Sequence, residues 1–329
     1  MSYAESRPIA VFYEHPDWFR PLFTELDGRG VPYVKLHADG HRFDPADPVP
    51  PFGLVFNRMS PSAYLRGRAG AIGYTTQYLA HLGRHGVRVV NGWEAWQVEI
   101  SKATQLSLLE ALGLPYPATR VIHDPADAAA AAVGLRFPVI VKPNIGGSGA
   151  GVRRFDSPST LARAAADRAI DLGIDGTALV QEYIPAADGR IVRVEVLDGR
   201  YLYAIRIYTP GDSFNLCPAD VCQSVDGAEL ERAACPVDAP RNGLRVEGYR
   251  PSDDIIAQVE SIAAAAHIEI GGIEYMIDAR DGRLVYYDVN ALSNFVADAP
   301  RVVGFDPFAR LADWLEREAG LVPALAEEA

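Results

Sequence analysis

Cysteine and lysine are scarce in this chain, and long apolar runs are missing. Only three cysteines occur in 329 residues, Cys217, Cys222 and Cys235, and none forms a CxxC pair. That excludes a disulfide scaffold and suits a reducing, cytoplasmic compartment. Lysine is as rare: of 31 basic residues, only Lys35, Lys102 and Lys142 are lysines. Where arginine is the default surface cation, a retained lysine is a candidate for chemistry. No apolar run reaches the roughly 18 residues of a membrane-spanning helix. The opening MSYAESRPIAVFYEHPD meets charged residues too soon for a signal-peptide core. A formal charge of −12 argues against nucleic-acid and anionic-membrane partners. It leaves room for a phosphate ligand, because a few cations in a cleft act locally.

What is present reads as a soluble globular chain. The hydrophobic fraction is 49% and the charged fraction 22%, near the average for such proteins. The length suits two domains or three small ones. Ile9 to Tyr13, a helix over Asp17 to Leu26 and Val31 to Leu36 form a β-α-β opening with a parallel sheet. Leu54 to Phe56, a helix over Ala71 to His85 and Val87 to Val90 continue it. One helix is predicted from Trp93 through SKATQLSLLEALG, stopped by Gly113 and two prolines. A strand at 119–122, an alanine-rich helix near 125–133 and the strand FPVIVKP follow. Val152 to Phe155 then reads as a return strand and Ser159 to Leu172 as a helix.

From Thr177 the pattern becomes antiparallel. ALVQEYI, RIVRVEVL and RYLYAIRIY are strands, the last two joined by the hairpin signal Asp198-Gly199. Residues 209–250 show no period and read as a long loop. A helix over Ser252 to His267, capped by Ser252, precedes a hairpin of Ile273 to Ile277 and Leu284 to Val289. A final helix covers Phe305 to Glu318.

PNIGGSGAG is the first chemical motif. Glycines let backbone N–H groups approach phosphate oxygens. No Gly-Lys-Ser/Thr follows, so it is not a Walker A loop, and the GxGxG spacing before a strand does not fit a dinucleotide fold. A flap over nucleotide phosphates and a plain surface hairpin both fit. Lys142, at the end of a buried strand four residues before the loop, favours the flap; alone it reads as a snorkelling strand-end lysine. Lys102, on the first turn of a helix, reads alone as a solvated face.

GGIEYMIDARDGRLVYYDVNALSN places Glu274 and Asp288 on neighbouring strands, with Asn290 on the face of Asp288. Such hard oxygen donors suit Mg²⁺ shared with phosphates. Asp278 is an alternate ligand, and a hydrophilic strand face is the plainer reading. Two lysines, a glycine flap and an oxygen-rich site together describe use of Mg-ATP.

In this order the elements resemble the ATP-grasp superfamily, and within it the branch of glutamate ligases that join amino acids to carboxylates. VFNRMSP, GVRVVNGWEAWQVEISKATQLSLLEALGLPYPAT, FPVIVKPNIGGSGAGV, ALVQEYIP, RIVRVEV, FNLC and YYDVNALSN carry the likeness. The resemblance implies an α/β fold with α+β elements. An N-terminal α/β domain over 1–97 would precede a two-part grasp, 98–176 with the flap and 177–329 with the metal and substrate site. ATP would lie between antiparallel sheets.

By position, Lys102 and Lys142 would contact phosphates, covered by Gly146, Gly147, Ser148, Gly149 and Gly151. Gln181, Glu182, Tyr183 and Ile184 would form the adenine hinge. Asp188 would replace the branch's ribose aspartate, where this chain has Ile191. Glu274, Asp288 and Asn290 would hold Mg²⁺, with Mn²⁺ as a substitute. Arg193, Arg206 and Asn215 would serve the transferred phosphate or acyl group.

The implied activity is ATP-dependent ligation of a carboxylate to an amine through an acyl phosphate. Its partners are small-molecule carboxylate and amine substrates, with an amino acid or small peptide among them; a peptide acceptor and a homodimer are compatible. A small-molecule kinase and a non-catalytic nucleotide-binding regulator are the competing readings. The turn ALSNF departs from the branch's serine-proline turn, so substrate identity stays open. His81 and His85 lack the glutamate of a zinc protease motif. His15 and Arg58, after N-terminal strands, are candidates for a substrate carboxylate. Trp93 and Trp96 read as packing residues.

Overall fold

The computed structural model describes residues 7–15, 17–47, 51–147, 149–208 and 245–321. Strands β1 (Ile9–Tyr13), β2 (Tyr33–His37), β3 (Leu54–Arg58) and β4 (Val89–Val90) form a parallel sheet in the order β2-β1-β3-β4. The expected β-α-β opening is there, with its helix at Arg20–Arg29 closed by left-handed Gly30. Strand order reverses between β1 and β3, so their C-terminal ends open a crevice.

A second sheet is antiparallel: β5 (Thr119–Ile122), β6 (Val139–Pro143), β7 (Arg153–Phe155) and β8 (Ala178–Glu182), in the order β5-β8-β6-β7. β8 pairs with both β5 and β6, so this sheet runs past the boundary expected at 176–177. A third sheet holds β9 (Ala186–Leu197), β10 (Arg200–Tyr208), β11 (Arg245–Tyr249), β12 (Ile270–Asp278) and β13 (Leu284–Asn290). Its order is β11-β10-β9-β12-β13, all antiparallel. Asp198 and Gly199 both take left-handed backbone in the β9–β10 turn, as the hairpin signal demands.

Three expectations fail for local reasons. The single helix from Trp93 is two, Trp93–Glu99 and Lys102–Ala111. Ser101 turns extended between them, and its hydroxyl accepts from Thr104 N at 3.2 Å. The break puts Lys102 first on the new helix. Residues 245–249, expected as loop, are β11, an edge strand whose partner β10 supplies its order. Ser252 makes no side-chain cap to the helix Asp253–Ala265; Asp253 and Asp254 in the first turn meet the helix dipole instead.

The five-stranded sheet has an apolar core on each face. Ile191, Ile205 and Met276 face the parallel sheet and the helix Pro307–Glu318. Val192, Val194 and Tyr275 face the helices Lys102–Ala111 and Asp253–Ala265. Among the described residues, no helix is long and apolar enough to cross a membrane.

Asn91 clamps the parallel sheet to the five-stranded one. Its backbone is left-handed, with φ of 51°. Its Nδ2 donates to Ile270 O and Ala291 O at 2.6 Å each, and its Oδ1 accepts from Glu269 N at 2.9 Å. Both donated bonds are buried, so losing them strands polar backbone groups. Asn91→Ala is expected to cost about 3 kcal/mol, measured as a lowered urea midpoint with an unchanged slope.

Candidate active site

Lys142 is the fourth residue of β6, a strand buried along its whole length. It forms no ion pair among the described residues. Burial, aided by the like charge of Lys102 and opposed by Asp288, lowers its ammonium to about 7. Lys102 Nζ lies 2.6 Å from Asp288 Oδ1.

Asn144 locks the two lysine-bearing segments together. Its Oδ1 accepts from Ala103 N at 2.9 Å and from Ser101 Oγ at 3.2 Å, and its carbonyl accepts from Lys102 N at 3.3 Å. Its Nδ2 donates to Asp175 Oδ2 at 2.7 Å. The amide thus fixes the helix start relative to the end of β6.

The glycine loop lies against both. A Cβ on Gly146 would stand 3.9 Å from Lys102 Cε, and one on Gly147 would stand 2.8 Å from Ser62 Cβ. The second approach is too close for any side chain to fit without movement. Ser148 lies outside the described residues. The loop therefore touches Lys102 on one side and the turn after β3 on the other.

The acidic hairpin meets them from the third sheet. Glu274 is directly opposite Asp288, and Gly272 is opposite Asn290. A bulge after Glu274 pairs Tyr275 with Tyr286, leaving Tyr287 as the extra residue. The bulge re-aims the strand so that Tyr287 and Asp288 share the face of Glu274. Tyr287 OH donates to Glu274 Oε2 at 2.6 Å, and Arg193 Nη1 donates to Oε1 at 2.8 Å. Arg193 Nε reaches Glu195 Oε1 at 2.6 Å. The guanidinium lies across Gly272, where a Cβ would sit 2.3 Å from Nη2. Asn290 Nδ2 faces Asp288 Oδ2 at 3.3 Å and Gly272 O at 3.4 Å. Burial raises Glu274 above the carboxylate range despite Arg193. At Asp288, Lys102 outweighs burial and holds the carboxyl low.

Known proteins share this plan. Residues 100–216 match the family model described as RimK-like ATP-grasp domain. The chain is 30% identical over 233 residues to a D-alanine–D-alanine ligase of Gloeobacter violaceus, covering 63% of this chain and 72% of that protein. The chain belongs to the ATP-grasp ligases. It is also 30% identical to a probable alpha-L-glutamate ligase of an Enterobacter species, over 66% of this chain and 64% of that one. Two solved structures share the fold. The ATP-grasp ligase PsnB complexed with minimal precursor has a TM-score of 0.64 at 20% identity, covering 95% of this chain and 99% of its own. D-cycloserine synthetase DcsG has a TM-score of 0.66 at 18% identity, covering 94% and 99%.

Family membership makes this ATP-grasp chain an enzyme that uses ATP to join a carboxylate to an amine through a carbon–nitrogen bond. Ligation thereby displaces the kinase and regulator readings.

Sequence reasoning misses Glu99 and Glu195 of the ligase and finds Arg58 only as a candidate for a substrate carboxylate. Glu99, the last residue of its helix, is raised to about 7, by burial first and by Asp288 also. Its carboxylate accepts from Ala291 N. Arg58 is buried at 2% exposure and donates to Ser293 O and, at 3.0 Å, to Asn294 Oδ1. Burial lowers it to about 9 against the pull of Glu99 and Glu195. Arg58 Nε and Nη1 and Glu195 Oε2 have no hydrogen-bond partner among the described residues. Of the residues missed, Glu195 carried a local signal: it lies two positions from Arg193 on one strand, and period two puts both on one face.

Of the other expected residues, Arg206 lies on another face, whereas Gln181 and Glu182 pair with the Lys142 strand. Arg206 is opposite Val192, so it projects from the face away from Arg193 and Glu274. There it stacks 3.7 Å from the Tyr249 ring centre and lies 3.6 Å from Glu247. Asn215 and the three cysteines fall outside the described residues. Gln181 is buried and donates to Thr119 Oγ1 at 2.8 Å. Glu182 Oε1 accepts from Arg136 N at 2.8 Å, and Tyr183 N donates to Pro138 O at 3.0 Å. Ile184 is core. Asp188 is exposed and lies 3.3 Å from Arg190. Asp278 is bound by Arg280 at the hairpin's far end. His15 Nδ1 accepts from Asp17 N and Trp18 N at 3.2 Å each. Trp96 packs in the core as expected, but Trp93 is exposed.

A phosphate beside Lys142 would favour its ammonium form and raise its pKa. Nucleotide binding should therefore take up a proton, and affinity should fall as pH rises through and above about 7. Calorimetry at about pH 8 in buffers of different ionisation enthalpy reads that uptake directly. The uptake should vanish in Lys142→Met.

Proposed function

We propose that this ligase activates a carboxylate as an acyl phosphate and couples it to the amine of an amino acid or small peptide. The observation that carries the reading is Lys142: a buried lysine with no ion pair among the described residues, beside Lys102, on the strand that leads into the glycine loop and close enough to Asp288 to feel its charge. A buried ammonium without a counterion is costly, and a phosphate is the anion this surrounding suits. The names of the relatives, D-alanine–D-alanine ligase and alpha-L-glutamate ligase, support amino-acid substrates.

The donor set fits magnesium. Glu274 and Asp288 face each other in register with Asn290 beside them, and oxygen donors of this kind are what a hard divalent cation takes. Glu274, Asp288 and Asn290 would hold it, and when bound it would neutralise phosphate charge during transfer. The chain's own parts do the rest. Lys102 and Lys142 would orient the transferred phosphate and balance its charge. The glycine loop would exclude water that would otherwise hydrolyse the acyl phosphate. Arg193 would act as a positioning residue, bonded to both Glu274 and Glu195 with its guanidinium over Gly272. The amine then displaces phosphate, forming the C–N bond and releasing a proton and inorganic phosphate.

The test is ADP release with Mg-ATP and pooled amino acids and dipeptides, with mass spectrometry of products. An amide product is expected, formed with one ADP each. Lys142→Ala should lower kcat/KM roughly 10²–10³-fold, the scale of losing one preorganised charge donor. ADP release with no amide product from any amino acid or dipeptide would overturn the proposed substrate class.

A further inference from the structure

All four oxygens of the Glu274–Asp288 pair are already taken by donors from the chain. Glu274 Oε1 accepts from Arg193 and Oε2 from Tyr287, at 2.8 and 2.6 Å. Asp288 Oδ1 accepts from Lys102 at 2.6 Å and Oδ2 from Asn290 at 3.3 Å. A cation entering here must displace at least one donor, and they are not equally removable.

Arg193 is buried at 3% side-chain exposure, pinned between Glu195 and Glu274, and seated flat on Gly272. Tyr287 is buried and fixed by the bulge. Asn290 carries no charge. Lys102 differs on every count. Its side chain is 20% exposed, its ammonium ends a flexible four-carbon stem, and it lies against the glycine loop. It is also the donor whose charge opposes a divalent cation most directly, on the oxygen that cation needs.

We propose that Lys102 is a latch on Asp288 that makes metal binding conditional on nucleotide. This rests on the metal and phosphate roles proposed above. Lys102 can leave Asp288 without stranding its charge only if another anion receives it. The phosphates of a nucleotide under the glycine loop are that anion. Free divalent metal then competes poorly with the lysine, whereas metal arriving with nucleotide brings the lysine's new partner. The site takes metal and nucleotide together and resists either in the wrong combination.

The test is Mn²⁺ binding to the full chain without nucleotide, followed by the paramagnetic resonance signal of free Mn²⁺. Lys102→Met should bind one Mn²⁺ roughly tenfold to a hundredfold more tightly than wild type, the effect of removing a unit charge at contact. Lys102→Gln should do likewise and guards against a folding defect peculiar to the first variant. Lys102→Arg should stay as weak as wild type. Adding Asp288→Asn to Lys102→Met should abolish the gain. With ADP present, wild-type Mn²⁺ affinity should rise and the advantage of Lys102→Met should disappear. Equal Mn²⁺ affinity in wild type, Lys102→Met and Lys102→Gln, with Asp288→Asn still weakening it, would overturn the latch and leave the metal site standing. No effect of Asp288→Asn in any background would overturn the metal assignment itself.

Discussion

Charge balance under burial is the constraint on which this site depends. Arg58, Lys102, Lys142 and Arg193 are set against Glu99, Glu195, Glu274 and Asp288. A buried charge is tolerable only with a nearby opposite charge and its hydrogen bonds. The three sheets each contribute: Arg58 from the parallel one, Lys142 from the four-stranded one, Arg193 and the hairpin carboxylates from the third. Their approach therefore assembles a cluster that none of them could keep alone. Lys142 and Glu99, both drawn to about 7, mark where the balance is loosest.

Much of this was legible in the sequence because it is local. Period two along YYDVN puts Asp288 and Asn290 on one face, and the Asp-Gly turn brings Glu274 opposite. Glycines beside a strand-end lysine mark the loop that lies against Lys102. The scarcity of lysine singled out Lys102 and Lys142. These features need only a few neighbouring residues to be read.

The rest depends on distant partners. Glu99 meets a backbone amide 192 positions on, and Arg58 reaches a carbonyl 235 positions on. No local pattern reports such contacts. Asn144 does its work through a helix start that the unbroken period from Trp93 concealed; only the extended turn at Ser101 reveals it. Arg206, opposite Val192, shows the weight of a single residue of register. On a strand, one position decides which face a side chain serves, and Ile205 and Ile207 already claim the face of Arg193.

The Asn91 clamp has a mechanical consequence. Arg88 to Glu269 and Glu318, and Arg29 to Asp313 and Glu316, reinforce the same seam. The parallel and five-stranded sheets are thereby riveted into one anvil. The four-stranded sheet joins that body through the connections at 112–118 and 183–185, with Tyr286 N to Pro115 O and Ala279 N to Pro185 O as lateral ties. It carries Lys142 and the glycines, and it is tied to the anvil again where Asn144 holds the start of the Lys102 helix. The carboxylates stay on the anvil, so any opening of the cleft separates Lys142 from Asp288 and leaves the acidic hairpin's own geometry undisturbed.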